Sequence, residues 1–240
     1  MIPYLIWSPP YAHNSAGIKA LHNLCKGLNR KRHTAYITPV YLETMDTRMI
    51  AIYPEIVHGN PFGLKNRVRW ILNKPGLLCN GPKQYDPEEL LFIWEKRYLN
   101  LPKDRILTTY NFDDDLFHST GQTRDIDCVW IGKGIHRRKE INIPEAVRIT
   151  YEWPAKRDEL AALLQRTNIL YTFDDRTGLN WEAFLCGCRI ILMPENYELS
   201  KDEILKTTGL LHESPSIARK ICDEQLDNFI RITQEWAETE

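Results

Sequence analysis

The chain has 240 residues, of which 43% are hydrophobic and 26% are charged, a composition typical of a globular protein with enough apolar side chains for a core. Its 31 Lys and Arg residues are balanced by 32 Asp and Glu residues, so it lacks the overall positive charge of a nucleic-acid-binding protein. No run approaches the ~20 apolar residues of a membrane span, and no basic segment precedes the first apolar run. We therefore expect a cytoplasmic protein without a transmembrane segment.

The beginning of the chain predicts a strand, a loop, a helix and a second strand, in that order. The apolar run at 4–7 predicts a buried strand that two prolines end. Asn14 or Ser15 can cap a helix in which apolar residues recur at helical spacing. The segment at 34–39 predicts the next strand, which Pro39 ends. This order begins a βαβ unit and so predicts a parallel sheet.

The rest of the first half predicts further strands and ends in a polar segment. Strands are predicted at 48–56, 89–94 and 105–110, and the basic segment 64–72 predicts a short helix. Residues 111–125 are polar and show no periodicity, which indicates a linker.

A second series of alternating strands and helices follows the linker. Its predicted strands are 127–134, 146–151, 168–173 and 189–194, and its predicted helices are 158–164 and 181–185. We predict an α/β fold with two Rossmann-like parallel-sheet domains at 1–110 and 111–225. An amphipathic helix at 226–240 is expected to pack back on the first domain.

Neither the cysteines nor the clustered acids predict a metal site. The six cysteines are scattered and form no C-x-x-C pair, so we expect buried free thiols in a reducing compartment. The three adjacent acids at 113–115 could be taken for a D-x-D metal motif. Three adjacent acids in a polar linker are more typical of a solvated segment, so we expect no metal.

The first loop with candidate chemistry is SPPYAHNSAG at 8–17. Ligands of open parallel sheets bind beyond the carboxyl ends of the strands, where this loop is expected to lie. Small residues, Gly17 among them, let backbone amides approach an anion, and His13 can face the ligand. The loop lacks the G-x-G-x-x-G fingerprint of dinucleotide-binding proteins. A plain strand-to-helix connection with a surface histidine is the alternative interpretation.

The second loop is IGKGIHRRK. Gly132 and Gly134 flank Lys133, and Arg137 and Arg138 follow. A flexible backbone with guanidinium groups can clamp a diphosphate. A solvated basic loop without a ligand is the alternative.

The third loop follows a predicted strand that ends at Asp174. Gly178, Leu179 and Asn180 can form a helix N-terminus whose free amides bind phosphate. Glu182, in the first turn of that helix, can accept hydrogen bonds from two ribose hydroxyls. The alternative is that Glu182 only complements the helix dipole.

Taken in chain order, these segments resemble the GT-B glycosyltransferases of the retaining kind that use nucleotide sugars. SAGIKALHNLCKGLNRKRHTAYI is similar to their glycine loop and first helix, and YNFDDDLFH to their interdomain segment. VWIGKG resembles the start of their second domain. DDRTGLNWEAFLCGCRIILMP resembles their E-x7-E signature, with Asp174 and Glu182 at the two acid positions.

The resemblance implies a small version of the GT-B fold, in which two domains face a cleft. It also implies sugar transfer from a nucleotide-diphosphate donor to a hydroxyl acceptor, with retention and without a metal or cofactor. Asp174 would then lie near the donor sugar, the amides at 178–180 on phosphate, and Glu182 on ribose. Lys133 and the arginines that follow it would offset charge on the departing diphosphate.

The acceptor is expected to meet the first domain. YPEIVHGNP ends a predicted strand, so Glu55 and His58 are candidates for activating the acceptor hydroxyl, with His13 as a third. A structural role beside Pro54 is the alternative for Glu55. The acceptor class is a glycan, a lipid-linked compound or another hydroxyl compound.

Departures from the family pattern keep other functions open. The first acid is Asp where the family has Glu, and the first domain is short. The short first domain motivates a non-catalytic or partner-dependent nucleotide-sugar-binding subunit as an alternative. The basic and aromatic segment LKNRVRWILNK motivates a transferase that acts on modified nucleic acid. A monomer and an oligomer both agree with the sequence.

Overall fold

A computed structural model describes residues 1–39, 47–137, 143, 145–208, 212 and 214–239, with side chains except at 135–137 and 207–208. The chain divides into two compact units. The first combines Met1–Asn111 with Ser216–Glu240, and the second is Phe112–Pro215. Each unit is built on one five-stranded, mostly parallel sheet, so the fold is α/β and Rossmann-like in character.

The first unit contains a fully parallel sheet in the order β2-β1-β3-β4-β5. Its strands are β1 (Tyr4–Trp7), β2 (Ala35–Thr38), β3 (Ile50–Pro54), β4 (Asn66–Ile71) and β5 (Leu90–Ile93). The strand order reverses between β1 and β3, because the chain passes to β2 on one side of β1 and returns on its other side. Open α/β sheets bind ligands at such a reversal.

Two helices, α1 (Ala16–Arg30) and α5 (Pro215–Thr239), cover one face of this sheet. The predicted helix start is confirmed, since the Ser15 hydroxyl accepts a hydrogen bond from the amide of Ile18 at 3.4 Å. In α5, Phe229 packs in the same core as Tyr4 and Phe92. Residues from Ser216 onward group with the first unit, whereas the sequence prediction placed 216–225 in the second domain.

Two predicted elements of the first unit are wrong. The segment 64–72 contains the strand β4 and not a helix, because its residues alternate between two faces. Val68 and Trp70 enter the core that α1 and α5 share, while Arg69 lies on the opposite face. The segment 105–110 is not a strand: only a single bridge from Ile106 reaches β5, and it follows a 3-10 turn at Lys103–Arg105.

The second unit repeats the strand order of the first, with β10 antiparallel at one edge: β10-β9-β8-β6-β7. The strands are β6 (Ile126–Trp130), β7 (Val147–Ile149), β8 (Thr167–Thr172), β9 (Arg189–Leu192) and β10 (Tyr197–Glu198), and the helices are α2 (Arg157–Arg166), α3 (Gly178–Leu185) and α4 (Lys201–Thr208). Here the order reverses between β6 and β8. α3 begins at Gly178, within the predicted helix N-terminus at 178–180, and Thr177 caps it. The predicted helical segment 181–185 forms the rest of α3.

The cysteines of the chain form no disulfide bonds. All six cysteines are free thiols, and burial raises the pKa of Cys186 and of Cys188 to about 12. Neither thiol is therefore ionised at neutral pH.

No helix in the described ranges has both the length and the apolar composition needed to cross a membrane.

Candidate functional site

The structure brings two of the predicted loops together at the carboxyl ends of β6 and β8. β6 is followed by the 3-10 turn Gly132–Arg137, and β8 is followed by Asp174. The backbone amide of Lys133 donates a hydrogen bond to Oδ2 of Asp174 at 3.0 Å. The two loops therefore meet where the strand order of the second sheet reverses, which is the ligand-binding edge of open α/β sheets.

Close packing explains both glycines of the first of these loops. Gly132 has a φ of +49°, and a Cβ there would lie 2.7 Å from Oδ2 of Asp174 and would collide with the Trp130 indole. A Cβ at Gly134 would overlap the carbonyl group of Phe173. The turn is thus pressed against the end of β8, and the exposed side chain of Lys133 is the charge it presents to solvent.

Asp174 organises this edge through its own hydrogen bonds. The side chain is buried, and besides the Lys133 amide it accepts the amide of Arg176 at 3.1 Å. The Asp174 carbonyl accepts the side-chain amide of Asn180 at 3.0 Å. Asp174 therefore fixes the β6 turn and the start of α3 relative to β8, a positioning task that the sequence reasoning did not foresee.

The amides at the start of α3 are partly used by the local turn. The Thr177 hydroxyl accepts the amide of Leu179 at 3.3 Å, and the Thr177 carbonyl accepts the amide of Asn180 at 3.3 Å. A Cβ at Gly178 would lie 3.3 Å from the Phe112 ring. Two of the three amides predicted to bind phosphate therefore already have partners. In the described part of the chain, Oδ1 of the buried Asn180 has no hydrogen-bond donor.

Glu182 is held by an arginine that the sequence analysis did not identify. Both carboxylate oxygens accept hydrogen bonds from Arg157, at 2.7 and 3.1 Å, and the Glu182 side chain is only 4% exposed. The Arg157 guanidinium also lies 4.3 Å from the centre of the Phe117 ring. The carboxylate predicted to receive ribose hydroxyls is thus engaged inside the second unit. Arg157 starts α2, far from Glu182 in sequence, so no local pattern pointed to the pair.

A short aromatic turn after β7 also lies at this edge and was missed. The amide of Thr150 donates to the Trp153 carbonyl at 2.8 Å, and the amide of Trp153 donates to the Thr150 hydroxyl at 3.0 Å. The Tyr151 ring packs edge-on against Trp130, with ring centres 4.9 Å apart. Burial raises the pKa of Tyr151, and the charge of Asp174 raises it further.

The remaining residues of the basic loop are only partly described. Arg137 ends the 3-10 turn Gly132–Arg137, and its side chain is outside the described atoms. Arg138 lies outside the described residues altogether. The basic character of this edge therefore depends, in the described part, on Lys133 and Arg176.

In the first unit, Glu55 follows β3 at the strand-order reversal. Its carboxylate accepts the amide of Leu72 at 3.1 Å and is buried, and this burial raises the pKa of Glu55. Gly17 lies inside α1, and a Cβ there would be 3.8 Å from Cδ1 of Leu72. His58 is exposed, with its Nε2 2.8 Å from the carbonyl oxygen of Asn80. His13 lies in the turn that precedes α1.

The raised pKa of Glu55 predicts a pH-dependent stability difference. A raised folded-state pKa means that the contribution of Glu55 is fully present below the ordinary value of 4.5 and is lost as the pH rises through the folded-state pKa. Glu55→Gln keeps an acceptor oxygen for the Leu72 amide. We expect the free energy of unfolding of this variant, relative to that of the wild type, to be greater at about pH 8 than at about pH 4. Urea unfolding at both pH values measures the difference, and a constant difference would contradict the assignment.

A buried arginine occupies the face of the first sheet opposite α1 and α5. The Arg69 side chain is 2% exposed, and Glu89 accepts its Nε–H and one Nη2–H at 2.9 and 2.6 Å. The carbonyl oxygens of Pro54, Val57 and Gly59 accept its other hydrogens at 3.2, 2.7 and 3.0 Å. All five donors of the guanidinium are therefore satisfied within the protein.

Two tyrosines and a small cavity border this arginine. The rings of Tyr53 and Tyr85 lie 5.1 and 5.3 Å from the Arg69 guanidinium carbon. A cavity of about 90 Å³ lies beside it and is also lined by Arg67 and Asp86. Arg67 pairs with Asp86 at 3.3 Å and with Glu88 at 2.8 Å. The arginines of β4 thus pair with acids of the same unit.

Comparison with known protein families, with curated proteins and with solved structures found no match. Among the residues that the structure describes, no three or more His, Cys, Asp and Glu side chains are grouped so as to hold a metal ion.

Proposed function

We propose that the protein is a glycosyltransferase that moves a sugar from a nucleotide-diphosphate donor to a hydroxyl acceptor. The observation that supports this most is the hydrogen bond between the Lys133 amide and Asp174. It brings an exposed cationic side chain and a glycine turn to the strand-order reversal of a Rossmann-like sheet. Nucleotides bind at that position in open α/β sheets.

In this proposal the leaving diphosphate is the group that the second unit stabilises. When the bond between the sugar and the diphosphate breaks, negative charge develops on the departing oxygen. The Lys133 ammonium would offset that charge, in the place that a metal ion takes in other transferases. Asp174 acts by holding the Lys133 turn, through the bond to its backbone amide. Retention of anomeric configuration follows the family resemblance.

Glu55 is the proposed base for the acceptor hydroxyl. Its burial raises its pKa, and a carboxylate whose pKa moves toward neutrality is a better acceptor of a hydroxyl proton. Its position after β3, at the reversal of the first sheet, is where that sheet would take a ligand. His58 and His13 are secondary candidates, since each lies in a loop at the same edge.

Thermal unfolding with UDP, GDP, ADP and CMP tests donor binding. A nucleotide at 100 times its Kd stabilises the folded state by about 2.7 kcal/mol, which raises the melting temperature by a few degrees. We expect such a shift with one nucleotide and no loss of it in EDTA. Lys133→Met should weaken binding by about 1.5–3 kcal/mol, the range for a hydrogen bond to a charged group.

Lys206→Met is the matched control, because Lys206 is an exposed lysine in α4 of the same unit. It should leave the shift unchanged. Unchanged melting temperatures with all four nucleotides, or equal binding by Lys133→Met and the wild type, would contradict the proposal.

A partner-dependent nucleotide-sugar-binding subunit is the second candidate. It is favoured by the hydrogen bonds from Arg157 to Glu182, because they occupy an acid that was expected to meet the donor. Sugar transfer or donor hydrolysis by the purified chain alone would exclude it. The nucleic-acid alternative is less favoured, because Arg67 and Arg69 pair with acids of their own unit.

A further inference from the structure

We infer that the nucleoside part of the donor binds at the turn after β7, with its ribose hydroxyls on Glu152 and its base against Trp153. This inference rests on the proposed function and deepens it, because it names the contacts that recognise the nucleoside. It places the ribose on an acid outside the segments that resemble GT-B enzymes.

The sheet order places this turn beside the proposed diphosphate loop. β7 pairs with β6 in parallel, with Trp130 opposite Ile149. Both strands therefore end at the same edge, and the loops that follow them are neighbours. The contact between the rings of Tyr151 and Trp130 joins the two loops directly.

The turn itself is held in one shape and points its side chains outward. Hydrogen bonds close it in both directions between Thr150 and Trp153, and the amide of Glu152 also donates to the Thr150 hydroxyl at 3.2 Å. Tyr151 and Trp153 are 42% and 46% exposed, and Glu152 is exposed as well. An exposed indole on an ordered turn provides a flat surface for a base, and an adjacent carboxylate provides acceptors for hydroxyls.

The position of Glu152 matches a general arrangement of nucleotide-binding sheets. In that arrangement, a glycine turn follows the first strand and holds phosphate. About 20 residues later, an acid at the end of the second strand accepts the ribose hydroxyls. Here Gly132 follows β6, the first strand of the unit, and Glu152 follows β7, the second, at about that spacing.

The hydrogen bonds of Glu182 support a ribose site on Glu152 in place of one on Glu182. Its two oxygens are bonded to Arg157, and its side chain is buried. A ribose could reach them only by displacing a guanidinium that also packs on Phe117. The exposed Glu152 needs no such rearrangement.

Calorimetric titration with UDP, GDP, ADP and CDP and with their 2′-deoxy and 3′-deoxy counterparts tests the inference. The wild type is expected to prefer one ribonucleotide over its deoxy counterparts. Glu152→Gln should lower the affinity for that ribonucleotide about ten-fold and remove the preference. Trp153→Ala should weaken ribo and deoxy forms alike, by about ten-fold or more, as loss of base stacking does.

Two control variants match these changes. Glu145→Gln alters an exposed acid just before β7, at the opposite end of that strand, and Tyr197→Ala alters an exposed aromatic residue on β10. Both should bind as the wild type does. Circular dichroism of every variant checks that the fold is kept. If Glu152→Gln is altered in structure, Glu152→Asp provides a second test. Because it keeps a carboxylate, it should retain part of the ribose preference.

The outcomes separate the inference from the proposed function. Loss of the ribose preference in Glu152→Gln supports the inference, even if the chain transfers no sugar, a result that would overturn the glycosyltransferase alone. A ribose preference that survives Glu152→Gln, or binding that Trp153→Ala leaves unchanged, overturns the inference while the proposed function stands. A wild type that binds none of the nucleotides overturns both.

Discussion

Replacing Glu89 by glutamine is expected to lower the free energy of unfolding of the first unit by about 3–5 kcal/mol. The side chains of Arg69 and Glu89 are each only 2% exposed, so the change would leave a guanidinium charge buried without its carboxylate. Breaking a buried pair by removing one partner costs that much because solvent cannot replace the lost charge. Urea unfolding followed by circular dichroism measures the loss.

Glu88→Gln is the control for this prediction. Glu88 precedes Glu89 and pairs with Arg67, but its side chain is 82% exposed. An exposed ion pair contributes about 0–1 kcal/mol, so the control should unfold almost as the wild type does. Equal losses in the two variants would show that the charge of Glu89 is not needed by Arg69.

The double variant Arg69→Met with Glu89→Leu separates the ion pair from the backbone contacts. Replacing a buried ion pair by apolar side chains is often neutral or stabilising. Here, however, Arg69 also donates to the carbonyl oxygens of Pro54, Val57 and Gly59. Each buried acceptor left without a donor costs about 1–3 kcal/mol. We therefore expect the double variant to stay destabilised.

Gly134→Ala is expected to destabilise the second unit by about 3 kcal/mol or more. The added Cβ would overlap the Phe173 carbonyl group and lie 2.9 Å from the Phe173 Cβ. The first of these neighbours is backbone at the end of β8, so the turn or the strand must shift, which places the cost at the upper end of overpacking. The shift would also separate the Lys133 amide from Asp174, so nucleotide binding should fall with stability.

Gly178→Ala serves as the matched control. Its Cβ would approach only the Phe112 ring, at 3.3 Å, and the position is the first residue of a helix, where alanine is favoured. A change within about 1 kcal/mol is expected in thermal unfolding. A Gly134→Ala variant as stable as this control would contradict the close packing of the β6 turn.

The parts of the fold that depend on local pattern were predictable. Asn14 or Ser15 before an amphipathic run predicted the start of α1, and the alternation of apolar strands with helices predicted the mostly parallel sheets. β4 was not predicted, because Val68, Ile71 and Leu72 fall on one side of a helix and the segment is basic, which favoured a short helix. Arg69 tolerates its place in the sheet only because Glu89 and three carbonyl groups surround it, and these partners are distant in sequence.

In the candidate site, too, local patterns were predictable and contacts between distant residues were not. The glycine turn and Asp174 were predicted to bind a ligand, and the structure places them in contact. The bond from Arg157 to Glu182 joins the start of α2 to α3, and no spacing rule relates those positions. The aromatic turn after β7 can be recognised as part of the candidate site only from the sheet order, which places β7 beside β6. Long-range pairing, not local propensity, therefore decides which polar residues face a ligand.

The position of α5 in the first unit has a consequence for synthesis of the protein on the ribosome. The second unit is one continuous stretch, Phe112–Pro215, whereas the first unit needs residues on both sides of it. The hydroxyl groups of Tyr4 and Thr233, 2.8 Å apart, join the beginning of the sheet to a helix translated after the whole second unit. Domains usually complete folding in the order of their synthesis. In this chain the second unit can finish first, while the earlier sheet must wait for the last helix to cover its core.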